Sequence, residues 1–230
     1  MPVALEWGPL GARTLAERSD VVVVVDVLSF STALTIAVER GARVWPHTGG
    51  EAARQLARDI DAVLAGNRNS HEGLTLSPVS LLEVDADTRL VLPSPNGSSI
   101  AFAAINGDVQ IVAGCLRNAT AVSRYLDSFE RIALVPAGER WGDGSLRPAY
   151  EDLVGAGAVV DRLVGRNPSL ELTPEAEVAA LAFRALRPLE LCPSGIELVE
   201  RGFAEDVRLA GEVDVSDVVP VLREGRFLAA

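Results

Sequence analysis

The residues best suited to acid–base, metal or anion chemistry lie in a few short polar segments, and the first is centred on Asp26. This carboxylate directly follows five consecutive valines, Val21–Val25. An unpaired charge is costly to bury, so a carboxylate at the end of such an apolar run needs partners. In one interpretation, the partner of Asp26 is a divalent cation. The other has Asp26 accept backbone N–H bonds as the cap of the helix that follows.

Two other segments have the residue types that bind anions. Residues 94–99, with the letters SPNGSS, place hydroxyl groups and a glycine before a predicted helix, where free N–H groups and the helix dipole favour negative charge. An ordinary N-cap in a tight turn would have the same pattern. Residues 67–69, with the letters NRN, offer the planar guanidinium of Arg68, which can bind phosphate or carboxylate through two parallel bonds. The alternative there is a turn with a solvated arginine.

Glu151 and Asp152 begin a long predicted helix. Adjacent helical residues point about 100° apart, so we expect only one of the two carboxylates to face a site. The helix dipole favours acidic residues in a first turn without any further role, which is the alternative interpretation. His47 and His71 have no neighbours at metal-ligand spacing, and no role is predicted for either.

Strand and helix alternate along most of the chain, and these elements must position the polar segments. Val21–Val25 has the unbroken apolar character of a strand that is buried on both faces. Further strands are predicted at 42–46, 62–65, 89–92, 110–113, 131–135 and, with a turn, 213–222. Helices are predicted at 31–40, 50–59, 98–105, 118–126 with Asn118 as its cap, 150–164, 174–186 and 195–201. Residues 70–86 are predicted to form a loop with one short helix, and residues 137–149 a glycine-rich loop.

This alternation predicts the fold class, a three-layer α/β/α arrangement with a mostly parallel or mixed sheet. We expect one domain over residues 1–230; the alternative is two packed lobes with a boundary near residues 166–168. Ligands of such folds bind beyond the carboxyl ends of the strands. We therefore expect five polar segments to meet in one cleft, because each follows a predicted strand. These segments are residues 26–32, 67–69, 94–99, 118 and 139–152.

Composition excludes several classes of protein. The chain has 230 residues, 21 cationic side chains that are all Arg, 32 Asp and Glu residues, and a net charge of −11. Without Lys it cannot form a Schiff base or a Walker-type phosphate loop, and its acidity argues against nucleic acid as a partner. No apolar run is long enough to span a bilayer, and no signal peptide is recognisable. We expect a cytoplasmic protein, and a homodimer is compatible with these features.

Short motifs occur in a characteristic order between residues 20 and 222. They are DVL at 26–28 with ST at 31–32, LAGNRN at 64–69, LPSPNGS at 92–98, NATAV at 118–122, AG at 137–138, YEDL at 150–153 with GAGA at 155–158, SG at 194–195, GFAEDV at 202–207 and VVP at 218–220. This ordered set resembles the 2-phosphosulfolactate phosphatase family.

The resemblance implies a hydrolase that uses Mg²⁺ and no organic cofactor, and whose substrate is a small acidic phosphate monoester. It also implies roles for individual residues. The metal-binding and acid–base candidates are Asp26, Glu151 and Asp152. The candidates for binding phosphate or the rest of the substrate are Ser29, Arg68, Asn69, Ser94, Asn96, Gly97, Ser98 and Asn118.

The chain departs from the family pattern in three ways. Ser29 stands where the family has Arg, Asn67 stands where it has Glu, and Pro93 and Pro95 interrupt its threonine run. The missing cation weakens anion binding, and the missing carboxylate weakens metal binding or proton transfer. These changes motivate an alternative function, a non-catalytic protein that binds small anions or regulates on the same scaffold.

Overall fold

The computed structural model describes residues 3–70, 73–105 and 109–230, and His71 lies outside them. Within these residues the chain forms eleven strands, nine α-helices and three short 3₁₀ helices. The strands are β1 (Ala4–Leu5), β2 (Val21–Val25), β3 (Arg43–His47), β4 (Val63–Leu64), β5 (Arg89–Pro93), β6 (Gln110–Gly114), β7 (Ile132–Pro136), β8 (Glu139–Arg140), β9 (Leu146–Arg147), β10 (Pro220–Arg223) and β11 (Arg226–Ala229). The α-helices are α1 (Gly8–Ala16), α2 (Phe30–Glu39), α3 (Gly50–Asp59), α4 (Gly97–Ala104), α5 (Ala119–Leu126), α6 (Tyr150–Arg166), α7 (Pro174–Arg184), α8 (Pro193–Glu200) and α9 (Ala204–Ala210). The 3₁₀ helices span Pro78–Leu81, Leu116–Asn118 and Leu189–Leu191.

Nine of the strands form one mixed sheet in the order β1-β7-β2-β6-β10-β11-β3-β5-β4. Strands β1, β7, β2 and β6 run parallel, and so do β3, β5 and β4. The hairpin β10–β11 lies between these two groups and pairs antiparallel to both. Strands β8 and β9 form a separate hairpin. The predicted fold class, with a mixed sheet, is confirmed.

Helices cover both faces of the sheet because alternate residues of a strand point to opposite sides. In β2, Val21, Val23 and Val25 pack with α5, α6 and α7, whereas Val22 and Val24 pack with α1, α2 and α4. Helix α3 covers a smaller cluster around Val91 of β5. All five valines of β2 are fully buried, as the unbroken apolar run predicts.

The structure corrects the predicted ends of the chain. Residues 213–219 form no strand, and the tail instead contributes the hairpin β10–β11 to the middle of the sheet. Its turn at Glu224-Gly225 has positive φ at both residues, which matches a two-residue hairpin turn, although Glu is an unusual residue there. The predicted glycine-rich loop at 137–149 contains the hairpin β8–β9.

Helices α1 and α9 and strand β1 were not predicted, since each is short and has a weak local pattern. Residues 166–168, the expected lobe boundary, lie at the end of α6, which packs closely on α7. No helix in the described ranges combines the length and apolar character needed to cross a membrane.

Candidate active site

The carboxylate of Asp26 lies where β2 ends and holds two helix N-termini. Its Oδ1 accepts a bond from Phe30 N of α2 at 3.1 Å, and its Oδ2 accepts one from Gly97 N of α4 at 2.8 Å. Burial raises the pKa of Asp26 to about 6 against the opposing effect of these two N–H groups. The helix-cap interpretation of Asp26 is therefore realised, and the same carboxylate also lines a cavity.

Glycine at position 97 is required by the close approach of α4 to α2. A Cβ atom at this position would lie 2.3 Å from Cδ1 of Phe30, which is fully buried. The absence of a side chain lets Gly97 N come within hydrogen-bond distance of Asp26. In this way the motif at 94–99 and the motif at 26–32 meet, although β2 and β5 belong to different parallel groups of the sheet.

The cavity next to Asp26 has a volume of about 230 Å³ and draws its walls from several strand ends. Polar side chains dominate its lining, so it suits a small, highly charged ligand. Its lining residues are Asp26, Leu28, Ser29, Arg68, Leu76, Ser94, Pro95, Asn96, Glu139, Ser194, Glu197, Leu198 and Arg201.

The guanidinium of Arg68 is held at the cavity by a network of buried acceptors. Its Nη1 donates to Asp206 Oδ2 at 3.2 Å, and its Nη2 donates to Ser29 Oγ at 2.7 Å and to Leu76 O at 3.3 Å. Asp206 is buried on α9 and also accepts a 2.5 Å bond from Ser77 Oγ. Burial lowers the pKa of Arg68, but the Asp206 charge opposes this shift, and an arginine stays protonated in proteins.

Arg201 is a second cation at the same wall. Its guanidinium lies 5.6 Å from the ring centroid of Phe203, and that of Arg68 lies 5.5 Å from the same centroid. Arg201 is exposed and donates to Asn69 Oδ1 at 3.2 Å. One phenyl ring thus carries two guanidinium groups that both line the cavity, and together they attract an anion.

Glu139, from the hairpin after β7, faces these cations across the cavity. Asn96 Nδ2 donates to its Oε2 at 3.0 Å. Burial raises the pKa of Glu139 to about 7, with a further contribution from the negative charge of Asp26. Glu139 can therefore both donate and accept a proton near neutral pH, as acid–base catalysis requires.

Glu151 and Asp152 lie behind Asp26 at the start of α6, and both are buried. Asp152 accepts bonds from Val27 N at 2.7 Å and from Gly138 N at 2.8 Å, so it ties the segments after β2 and β7 together. Burial, and then the charges of Glu151 and Asp26, raise the pKa of Asp152 well above its usual value. Cys192 Sγ lies 3.2 Å from Glu151 Oε2, and burial raises the pKa of this thiol to about 12.

The structure brings most of the predicted site residues together but directs some of them elsewhere. Asn118 is fully buried and does not line the cavity; its amide bonds Cys115 N, Ala113 O and Val218 O instead of capping α5. Asn69 is exposed and contacts Arg201, so it stands at the edge of the site. Ser98 is fully buried, and its Oγ has no hydrogen-bond partner among the described residues.

Three functional candidates were missed in the sequence. Glu139 begins the polar segment 139–152, in which only Glu151 and Asp152 were singled out; Arg201 ends the last predicted helix, and Asp206 follows it. Asp206 is part of the GFAEDV motif, so that motif was the available signal for it. No local pattern distinguishes Glu139 or Arg201 from surface charges, because only the folded chain brings them to the cavity.

No group of three or more His, Cys, Asp or Glu side chains in the described residues has an arrangement that could hold a metal ion. The predicted set of Asp26, Glu151 and Asp152 is thus not grouped as a metal site. Mg²⁺ commonly binds one or two carboxylates and takes its other ligands from water and substrate phosphate. The carboxylate of Asp26 at the cavity wall fits that more open type of site.

The match to known proteins extends over nearly the whole chain. A family model described as 2-phosphosulpholactate phosphatase matches residues 12–225. The chain belongs to this family. The prediction drawn from the ordered motifs is confirmed, and with it membership of a family of phosphoric monoester hydrolases.

The alignments with individual members of the 2-phosphosulfolactate phosphatase family cover nearly the full length of both chains. A probable 2-phosphosulfolactate phosphatase from Carboxydothermus hydrogenoformans is 31% identical, over 90% of this chain and 89% of the relative. One of the same description from Deinococcus radiodurans is 30% identical, over 91% and 94%. The 2-phosphosulfolactate phosphatase of Methanothermobacter thermautotrophicus is 29% identical, over 92% and 90%.

Proposed function

We propose that this chain hydrolyses a small acidic phosphate monoester, of the kind named for its relatives, with Mg²⁺ as cofactor. The observation that carries the proposal is the polar cavity in which Arg68 and Arg201 face Asp26 and Glu139. Cations that bind a phosphoryl group and carboxyl groups that titrate near neutrality are the parts that phosphate ester hydrolysis needs.

The phosphoryl group binds at the arginine wall. Arg68 is oriented by Asp206 and Ser29, so it loses little conformational freedom when the anion binds. Arg201 adds a second positive charge from the solvent side of the cavity. The two guanidinium groups stabilise the charge on the phosphoryl oxygens both before and during the transfer.

Glu139 is the residue proposed to move a proton. Its pKa of about 7 leaves a large protonated fraction at neutral pH, and this carboxyl group can protonate the leaving oxygen of the substrate alcohol. Asn96 holds one oxygen of the carboxyl group, and the Glu139 side chain lines the cavity. The alcohol then leaves neutral as water replaces it on phosphorus, and the proton that this water gives up restores protonated Glu139.

Asp26 is the residue proposed to hold Mg²⁺. Each of its oxygens accepts one backbone N–H bond and keeps a lone pair for a cation. Mg²⁺, when bound, would polarise the phosphoryl group and position water. We propose that Glu151 and Asp152 support the site from behind rather than bind the ligand. Neither lines the cavity, and both oxygens of Asp152 accept bonds from backbone N–H groups.

The test is phosphate release from a panel of small phosphate monoesters, including 2-phosphosulfolactate, with Mg²⁺ and with EDTA. We expect Mg²⁺-dependent release that falls at least about a hundredfold in the Asp26→Asn variant. Release of phosphate that is indifferent to EDTA would contradict the metal role. Anion binding without any turnover would favour the non-catalytic alternative.

A further inference from the structure

A second cavity of about 450 Å³ opens directly beside the first. The start of α1 and the β8–β9 hairpin form it, and we call it the α1 cleft. Its apolar wall consists of Trp7, Pro9, Leu10, Ala137 and Leu146. The cleft is about twice as large as the polar cavity, so a ligand confined to the polar cavity leaves it unused.

The two cavities share a wall. Asn96 and Glu139 line both of them, and these two side chains are joined by the bond of 3.0 Å between Nδ2 and Oε2. A substrate whose scissile oxygen lies next to Glu139 therefore has its remaining atoms at the mouth of the α1 cleft. Because the proposed proton donor, Glu139, lies at the shared wall, the part of the substrate that enters the cleft is the part beyond the scissile oxygen.

The lining of the α1 cleft favours an uncharged group. Apart from the shared wall of Asn96 and Glu139, the apolar side chains are accompanied by Gly8, Gly11 and Thr14 and by two ionisable side chains of opposite sign, Glu6 and Arg140. Arg140 Nη1 is already bonded to Gly144 O at 3.1 Å. A second anionic group of a substrate would lose water here against apolar walls, which is costly without a dedicated cation.

Apolar surface left uncovered at the rim supports the same assignment. Leu10 lines the cleft and is 73% exposed, and Leu146 of β9 also lines it and is 39% exposed. Large apolar side chains that cluster beside a polar cavity are typical of a binding groove. A bound ring system would cover part of this surface and gain free energy from its removal from water.

We propose that the α1 cleft binds an apolar group of the substrate, so that the preferred ester is the phosphate of a 2-hydroxy acid with an aromatic or branched aliphatic side chain. This inference rests on the proposed function of the polar cavity. The cleft has room for a group of roughly ten non-hydrogen atoms. The chain is then specialised for a substrate in which an apolar group replaces the sulfonate.

A matched pair of substrates tests the inference. 2-Phospho-3-phenyllactate and 2-phospholactate differ only in the phenyl ring, and 2-phosphosulfolactate serves as a third ester. We expect kcat/KM for the phenyl ester to exceed that for each of the other two by about tenfold or more. Equal values, or a preference for 2-phosphosulfolactate, would overturn the inference while leaving the proposed phosphatase function intact.

A variant that fills the cleft gives an independent measurement. Thr14 lies on the exposed side of α1 and lines the cleft, so Thr14→Trp should occupy its space without disturbing the core. We expect the ratio of kcat/KM for the phenyl ester to that for 2-phospholactate to fall about tenfold. Arg13→Trp, on an exposed neighbouring position outside the cleft, is the matched control and should keep the ratio. An unchanged ratio in Thr14→Trp would contradict the assignment.

Binding of the product acids separates failure of the cleft from failure of catalysis. Calorimetric titration should show 3-phenyllactate binding at least about tenfold more tightly than lactate, whether or not any ester is hydrolysed. Equal affinities would overturn the inference without bearing on turnover. Gel filtration in the same buffer checks for a dimer, and an apolar cleft covered by a second copy of the chain would also overturn it.

Discussion

Two carboxyl groups at the cavity, those of Asp26 and Glu139, titrate near neutral pH for the same physical reason. Burial penalises the charged form of each, and the charge of Asp26 adds to the shift of Glu139. Arg68 offsets the charge of Asp26 only in part, because its guanidinium is also paired with buried Asp206. This crowding of buried carboxyl groups destabilises the folded protein. A bound cation would offset their negative charge, so a binding site can tolerate it.

The Glu139→Gln variant tests this crowding through stability. The pKa of Glu139 is about 7 in the folded chain and about 4.5 when unfolded, so ionisation destabilises the folded chain progressively as pH rises from about 4.5 to 7. The variant, which stays neutral, should therefore match the parent near pH 4.5 and exceed it by up to about 3 kcal/mol at pH 8. Urea denaturation in EDTA at both pH values measures this. A constant difference at both values would rule out the proposed ionisation.

Arg201→Ala tests the second cation. Its side chain is exposed and donates a hydrogen bond to exposed Asn69, so we expect the free energy of unfolding to change by no more than about 0.5 kcal/mol. Loss of a charge-assisted bond to phosphate should raise KM about tenfold with a smaller change in kcat. Steady-state kinetics on one phosphate ester provide the measurement. Arg54→Ala, an exposed arginine of α3 paired with Glu51, is the control.

At the scale of elements, the site is assembled by helices that reach back to strand ends. Asp152 in the first turn of α6 binds the segments after β2 and β7, and Asp206 in the first turn of α9 holds Arg68 beyond β4. The acid in each case lies at the positive end of its helix. The two roles considered for Glu151 and Asp152, interaction with the helix dipole and a role in the site, do not exclude each other. Asp152 lies at the start of the helix and also holds the segments that shape the site.

The Asp152→Asn variant should weaken this junction. An amide has one acceptor oxygen where the carboxylate has two, so either Val27 N or Gly138 N loses its partner. A buried N–H group without a partner costs about 1–3 kcal/mol, and we expect the free energy of unfolding to fall by that amount. Chemical denaturation measures it. A variant as stable as the parent would show that the two bonds do not hold the junction.

At the scale of the whole molecule, the hairpin β10–β11 decides how the two halves of the sheet meet. It makes three successive antiparallel pairings between β6 and β3, so the two parallel groups run in opposite senses along the sheet. The segments that follow β2 and β5 nevertheless meet, as the bond from Gly97 N at the start of α4 to Asp26 shows.

Phe227 of β11 tests the link between this hairpin and the site. It is fully buried and packs edge-to-face on Phe30, with ring centroids 6.2 Å apart. Phe227→Ala should cost about 3–5 kcal/mol of unfolding free energy and, through Phe30, loosen the approach of Gly97 to Asp26. Thermal denaturation and kcat on one ester test both effects. Phe227→Leu, which keeps most of the volume, should recover most of the stability.

The sequence by itself determined the layers and most of the elements. The five valines of β2 and the alternation of strand and helix depend on neighbours along the chain, and local periodicity therefore predicts them. The helices at 50–59 and 150–164 were predicted nearly to the residue. Membership of the family also followed from motif order alone.

Only the tertiary structure decided which polar side chains share the cavity. Asn118 and Glu139 both follow strands, yet Asn118 turns inward to bind backbone groups, whereas Glu139 faces Arg68 and Asp26. Arg201 and Asp206 come from helices and turns far along the chain. Their placement depends on how α8 and α9 pack on each other and on how α9 packs on the 3₁₀ helix Pro78–Leu81. These are long-range contacts, and no local pattern in the sequence encodes them.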